Sequence, residues 1–280
     1  MKKIAILGKD GQVGWELERV FSPLGEVYSF GHAELDLATP DKIRKTLRDI
    51  RPDIILNAAA YTAVDKAEED YETALKINGE APGILAEVAS SLNALLVHYS
   101  TDYVFDGSTL KPYKELDVPN PLNAYGKSKR RGEEAIFEKG DRYLILRTSW
   151  VYSLRGKNFL NTMLNQAKLG KELNVINDQI GAPTWSRLIA EATALILATK
   201  QHPSGLYHLS CSGETSWYGF AEAIFNITNS KPSKLSSISS SQYPSKVSRP
   251  PYSVLSNEKI RNDFSIALPH WEKALRLCLS

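Results

Sequence analysis

Short apolar blocks recur along the first half of the chain, at residues 2–7, 26–30, 53–57, 94–100 and 143–148. Strands buried on both faces of a parallel sheet give such runs, because neither face meets water. Between the blocks the period changes. Val13, Leu17, Val20 and Phe21 fall at helical spacing, as do Ile43, Leu47 and Ile50. Thr39 stands where a cap is expected, with Pro40 at the first helical position. Residues 65–92 read as largely helical, with interruptions near Gly79 and Pro82, and a further helix runs from Tyr125 through Glu138. This alternation predicts an α/β fold with a Rossmann-type doubly wound parallel sheet.

Beyond Trp150 the regularity falls. Helices are expected at 159–169, 188–199 and 217–227, the last capped by Ser216, with short strands at 173–176 and 206–210. The serine-rich stretch 230–248, with Pro232 and Pro244, reads as a surface loop. The expected division is a dinucleotide-binding domain over 1–152, with elements near 185–210 packing back on it. Residues 153–184 and 211–280 would form a smaller, discontinuous C-terminal substrate lobe.

Composition narrows the class. The 280 residues are 42% hydrophobic and 24% charged, as in ordinary globular proteins. A formal net charge of +2 leaves no electrostatic footprint for nucleic acid or a membrane surface. Cys211 and Cys278 lie far apart without metal-ligand spacing, which points to a reduced protein rather than a disulfide scaffold. No run reaches the roughly 18 apolar residues of a membrane span, and residues 1–7 are too short for a signal peptide. The expected compartment is the cytoplasm.

Chemistry enters with the glycines. Gly8, Gly11 and Gly14 lie between the first block and the first helix. There, backbone N–H groups and a helix N-terminus would face a pyrophosphate; the alternative is a turn that merely packs closely. Many NAD-binding chains place a carboxylate after the second strand to bond the ribose, whereas this one has Gly31 and His32. His32 could donate to a 2′-phosphate, so NADPH is expected, with NADH still open. Small residues after the third strand, Ala58–Ala60, let a cofactor approach the backbone. The fourth block delivers Ser100, Thr101 and Asp102 to the ligand-binding edge. Tyr125 and Lys129 stand one helical turn apart, where an ammonium would lower the phenol pKa. The plainer alternative is an exposed basic helix start with a surface tyrosine. His98, inside a strand, reads as a satisfied buried imidazole.

The glycine motif, Ser100-Thr101-Asp102 and Tyr125-x-x-x-Lys129, in that order, resemble the extended short-chain dehydrogenase/reductase family. Longer stretches, 57–68, 99–105, 147–152, 177–184 and 213–217, look like its dTDP-4-dehydrorhamnose reductase branch. That resemblance implies hydride transfer from NAD(P)H to the 4-keto group of dTDP-4-dehydro-L-rhamnose, giving dTDP-L-rhamnose, the last step of its biosynthesis. It implies that Tyr125 donates the proton, Lys129 lowers its pKa and bonds the nicotinamide ribose, and Thr101 orients the carbonyl oxygen. Gln12, Val13, Asp36, Leu37, Ala60, Tyr61 and Thr62 would line the cofactor. Asp102 and Trp150 would touch the sugar, although Asp102 could equally bond backbone in a turn and Trp150 could be core. Arg249 is a candidate for the diphosphate, or a solvated loop arginine. Trp185, Trp217 and Trp271 read as structural. Some relatives bind Mg²⁺ between subunits through several glutamates. Only Glu16 matches here, so no metal ligand is assigned and the assembly is left as monomer or homodimer. Two other readings stay open: an NADP-binding regulatory subunit like the methionine adenosyltransferase beta subunit, and a sugar-nucleotide epimerase or dehydratase of the same fold.

Overall fold

A computed structural model describes residues 1–199, 204–245 and 247–280. Six parallel strands form its main sheet: β1 (Lys3–Leu7), β2 (Glu26–Phe30), β3 (Ile54–Asn57), β4 (Leu95–Thr101), β5 (Tyr143–Thr148) and β6 (Gly205–His208). Their order is β6-β5-β4-β3-β1-β2. The order reverses at β1, which has β2 on one side and β3 on the other. The crevice beyond the carboxyl ends of β1 and β3 is where such sheets bind ligands.

The apolar runs divide by alternation. Ile4, Ile6, Ile54, Leu56, Val97 and Leu146 point to one face, with Leu17 and Phe21 of α1 (Gln12–Phe21). Ala5, Leu7, Ile55, Leu96 and Ile145 point to the other, under Ile43 and Leu47 of α2 (Pro40–Ile50) and Leu85 of α3 (Ala81–Ser91). Ile136 of α4 (Ala124–Lys139) joins that second core. Each such side chain contributes roughly 1.5–3 kcal/mol relative to exposure, so the sheet is held from both sides. Ile189 and Ile196 of α5 (Ser186–Ala198) pack on the α1 face; residues 200–203 of the 185–210 stretch lie outside the described residues.

A further core gathers Leu160, Met163, Phe220, Ile224, Trp271 and Leu275. Ile260, Phe264 and Ile266, expected among the lobe residues, instead join the sheet core on the α1 face. The sequence reading also named no helix at Glu258–Phe264 or Trp271–Leu279.

Two local expectations need correction. Lys234–Ile238, inside the expected loop, is a strand paired in parallel with Glu172–Ile176. Its partner is distant in sequence, so no hairpin signal marks it, and Leu235 alone anchors it to the lobe core. Lys246 of that stretch lies outside the described residues. Thr39 occupies the cap position of α2 but makes no side-chain cap bond; its hydroxyl donates to Asp36 O instead. The predicted interruption near Gly79 is a π-helical turn at Lys76–Glu80. Pro82 is accommodated in the first turn of α3, where its missing N–H costs nothing.

Candidate active site

A cavity of about 450 Å³ opens over the carboxyl ends of β1 and β3. Gly8, Gly11, Gln12 and Val13 line its floor, His32, Asp36 and Leu37 one end, and Ala60 and Thr62 a wall; Tyr125 and Lys129 reach it as well. The turn is glycine for a steric reason. Gly8 has φ +87°, and a Cβ there would come within 2.7 Å of Ala59 N. Gly14, one helical turn in, rests against the Gly8 carbonyl. The cradle fits a dinucleotide: a bare backbone turn, a helix N-terminus at Gln12 and small residues opposite.

The end of β2 is less open to a 2′-phosphate than the sequence implied. Asp10 packs against Gly31, Glu34 Oε2 accepts from Gly31 N at 2.8 Å, and His32 Nδ1 lies 3.7 Å from Asp36 Oδ1. The carboxylates missing from positions 31 and 32 are thus supplied from 10, 34 and 36. Nothing in the local sequence shows that Asp10 folds across to β2.

Asn123 caps α4, its side chain accepting from Gly126 N at 2.8 Å, and so aims Tyr125 and Lys129. Neither is a surface group. Burial pushes the Tyr125 phenol up to about 12; the nearby Thr101 hydroxyl opposes that rise and the Asp102 charge adds to it. The expected depression of the phenol by Lys129 does not occur. Lys129 turns its ammonium to Tyr99 O at 2.6 Å and to His98 Nε2 at 3.2 Å. Burial also brings Lys129 itself down to about 8, despite the nearby Glu133 charge. Glu133, one turn further on, is fully buried and accepts from Arg147 Nε at 2.8 Å, Arg147 Nη2 at 2.7 Å and Ser100 Oγ at 2.6 Å. Burial would raise its carboxyl, but Arg147 and Ser100 outweigh that and hold it below the usual range. This ion pair braces β4, β5 and α4 behind the reacting groups.

The remaining candidates divide. Thr101 Oγ1 donates to Asp102 Oδ1 at 3.1 Å and accepts from Tyr103 N, so Thr101 holds the local turn and the Asp102 carboxylate bonds the Thr101 hydroxyl. Burial raises the Asp102 carboxyl to about 7. Trp150, at φ +46°, stacks on Trp217 with ring centroids 3.5 Å apart, its indole against the backbone of Gly181. Trp217 is therefore part of the same platform rather than simply core. Arg249 is not a free loop arginine: its Nη2 reaches Asp65 Oδ1 at 2.8 Å and Oδ2 at 3.0 Å. Tyr61 does not line the cavity; its backbone is held by Asn78, and its ring packs on the cluster of Ala67, Ala74 and Ala124. The cavity also holds residues that the local sequence does not mark, Thr148 and Lys157 among them. Thr148 has a buried hydroxyl without a partner among the described residues, and Lys157 rides on a loop tied to Gln12 through Asn158 Nδ2 at 2.8 Å. Only long-range contact reveals either. Among the described residues no cluster of three His, Cys, Asp or Glu side chains could hold a metal, and no helix is long and apolar enough to cross a membrane.

The sequence pattern of the RmlD substrate binding domain matches residues 1–280. The chain belongs to the RmlD family. Among curated members of comparable length, the dTDP-4-dehydrorhamnose reductase of Burkholderia thailandensis is 47% identical, covering 99% of this chain and 98% of its own. The enzyme of the same name from Escherichia coli K12 is 43% identical, with 99% and 97% covered. In three dimensions this RmlD-family chain is similar to a Bacillus anthracis dTDP-4-dehydrorhamnose reductase solved in complex with NADP. The TM-score is 0.95 at 34% identity, covering 99% and 98% of the two chains. The RmlD fold thus extends over both the sheet and the smaller core.

Proposed function

We propose that the protein is an NADPH-dependent reductase of the 4-keto group of dTDP-4-dehydro-L-rhamnose, forming dTDP-L-rhamnose. The observation that carries this reading is the half-buried Tyr125 phenol at the end of a glycine-floored cavity, beside Thr101 and one turn from Lys129. A phenol raised to about 12 is fully protonated at neutral pH. It therefore holds the proton that ketone reduction requires. When bound, the nicotinamide supplies the hydride. Tyr125 gives its proton to the ketone oxygen as that atom becomes an alkoxide, and the C=O bond becomes a secondary alcohol. Thr101 stabilises the phenolate left behind, and the Lys129 ammonium is assigned to the nicotinamide ribose.

Gln12, Val13, His32, Asp36, Leu37, Ala60 and Thr62 are assigned to the cofactor, Trp150 and Asp102 to the sugar, and Arg249 to the diphosphate once released from Asp65. NADPH is the assigned cofactor, in keeping with the NADP held by the Bacillus anthracis relative. The carboxylates around β2 favour acceptance of NADH too, since they suit ribose hydroxyls. The lobe built chiefly from 153–184 and 211–280 is assigned to the sugar nucleotide. One chain supplies every proposed group, so a monomer suffices and a homodimer is compatible. Cytoplasmic residence is in keeping with two free, buried thiols. A regulatory subunit would have no need of a proton donor in its cofactor cavity, which favours the enzyme over a binding module.

The test mixes protein, NADPH and dTDP-4-dehydro-L-rhamnose and follows nicotinamide absorbance. Oxidation dependent on the sugar nucleotide, lost in Tyr125→Phe while NADPH binding persists, is the expected result. No sugar-dependent oxidation with either cofactor would sink the reading.

A further inference from the structure

Behind Lys129 lie two polar side chains that the reaction as written does not use. Asn57 ends β3, His98 lies opposite it in the register of β4, and both are as buried as Lys129 itself. Asn57 Nδ2 lies 3.0 Å from His98 Nδ1, and His98 Nε2 lies 3.2 Å from Lys129 Nζ. The Asn57 amide oxygen is buried and has no partner among the described residues. Burial and the Lys129 charge keep the imidazole neutral, so it carries one ring hydrogen.

That single hydrogen couples the three groups. An ammonium facing Nε2 needs an acceptor there, which puts the ring hydrogen on Nδ1. Nδ1–H then needs an acceptor, and a half-turn of the Asn57 amide brings its partnerless oxygen into place. With the amide nitrogen facing Nδ1 instead, the hydrogen rides on Nε2 and points at Lys129, which only a neutral amine accepts. Amide orientation, tautomer and lysine charge are therefore locked together.

We propose that Asn57 and His98 are positioning residues that hold Lys129 as an ammonium, through the Nδ1–H tautomer of His98 backed by the Asn57 amide oxygen. Two of the three ammonium donors are then spent on Tyr99 O and His98 Nε2, and the third is left for the cavity. The other charged groups around Lys129 are Glu133 on its own helix, which Arg147 from β5 and Arg130 neutralise, and Asp102, which acts on Tyr125. His98 is the titratable group that faces the ammonium from β4, beside the Tyr99 carbonyl.

The kinetic consequence rests on the reductase reading, so the test has one arm that does not. In that arm, protein carrying ¹⁵N-labelled histidine is examined by NMR without substrate at pH 7. His98 is expected as the Nδ1–H tautomer, and Asn57→Leu, of similar shape, should move it toward Nε2–H. A wild-type Nε2–H tautomer, or an Asn57→Leu spectrum identical to wild type, overturns the proposal. In the second arm the alkaline limb of kcat/KM is compared across variants. His98→Leu removes an acceptor from the ammonium, so the limb should fall by about one to two pH units, the equivalent of one hydrogen bond to a charged group. His98→Gln, which keeps an acceptor, should restore most of that shift. An unmoved limb in His98→Leu, or a His98→Gln limb displaced equally, overturns the proposal. The predicted tautomer in a protein that fails to reduce the sugar nucleotide would support the positioning role and count against the reductase reading alone.

Discussion

Replacing Arg147 with methionine isolates the buried brace behind the reacting groups. Both partners of the Arg147–Glu133 pair are fully buried, and the guanidinium makes two bonds of 2.7 and 2.8 Å to the carboxylate. Arg147→Met keeps much of the volume but leaves Glu133 with Ser100 and with Arg130 at 3.1 Å. Stranding one partner of such a pair costs about 3–5 kcal/mol, a large part of a typical stability of roughly 5–15 kcal/mol. At about 2–3 °C per kcal/mol for a chain of this size, Tm should fall by roughly 6–15 °C.

The pH dependence should also change sign. In the wild type the Glu133 carboxyl is held low, so its contribution is present above the unfolded carboxylate range and is lost as pH falls through the folded value. Without Arg147, burial raises the folded value above the unfolded one. The variant then loses stability as pH rises, and its gap to wild type narrows on acidification from pH 8 to pH 5. Thermal unfolding followed by circular dichroism measures both effects. Glu133→Leu combined with Arg147→Met removes both charges and should recover most of the loss. A single variant within about 1 kcal/mol of wild type, or a double variant no better than the single, would refute the brace.

The other predictions concern ligand contacts. Gly8→Ala must enter a left-handed conformation with its Cβ against Ala59 N; NADPH affinity, read by nicotinamide fluorescence, should fall at least tenfold. Lys157→Ala should raise KM for NADPH about fivefold with kcat unchanged, and flatten the dependence of that KM on salt, as expected for one exposed charge on a phosphate. Asp65→Asn releases the Arg249 guanidinium, so KM for the sugar nucleotide should fall a few-fold, a change that steady-state kinetics resolves.

The parallel strands and the glycine turn were legible because their signals are local. An apolar run such as 143–148 reports burial on two faces, and three glycines between strand and helix report a backbone that must come close. Lys234–Ile238 was not legible, because its partner strand lies far upstream and its serines resemble a loop. Within the site, the spacing of Tyr125 and Lys129 located the pair but misjudged its electrostatics. Helical spacing says that two side chains share a face and nothing about what each bonds. Lys129 bonds across to β4, and burial, which a pentapeptide cannot report, dominates the phenol. Arg249 and Asp65 illustrate the same limit, since an ion pair between residues so far apart in sequence leaves no mark in either neighbourhood.

Isotope transfer tests the central claim most directly. The protein is incubated with NADPH dideuterated at C4 of the nicotinamide and with dTDP-4-dehydro-L-rhamnose, and the product is examined by mass spectrometry and proton NMR. The account predicts dTDP-L-rhamnose carrying one deuterium, at C4 of the sugar, and no labelled product from Tyr125→Phe on the same timescale. Product without deuterium at C4, or cofactor that stays reduced beside unchanged sugar nucleotide, would contradict it.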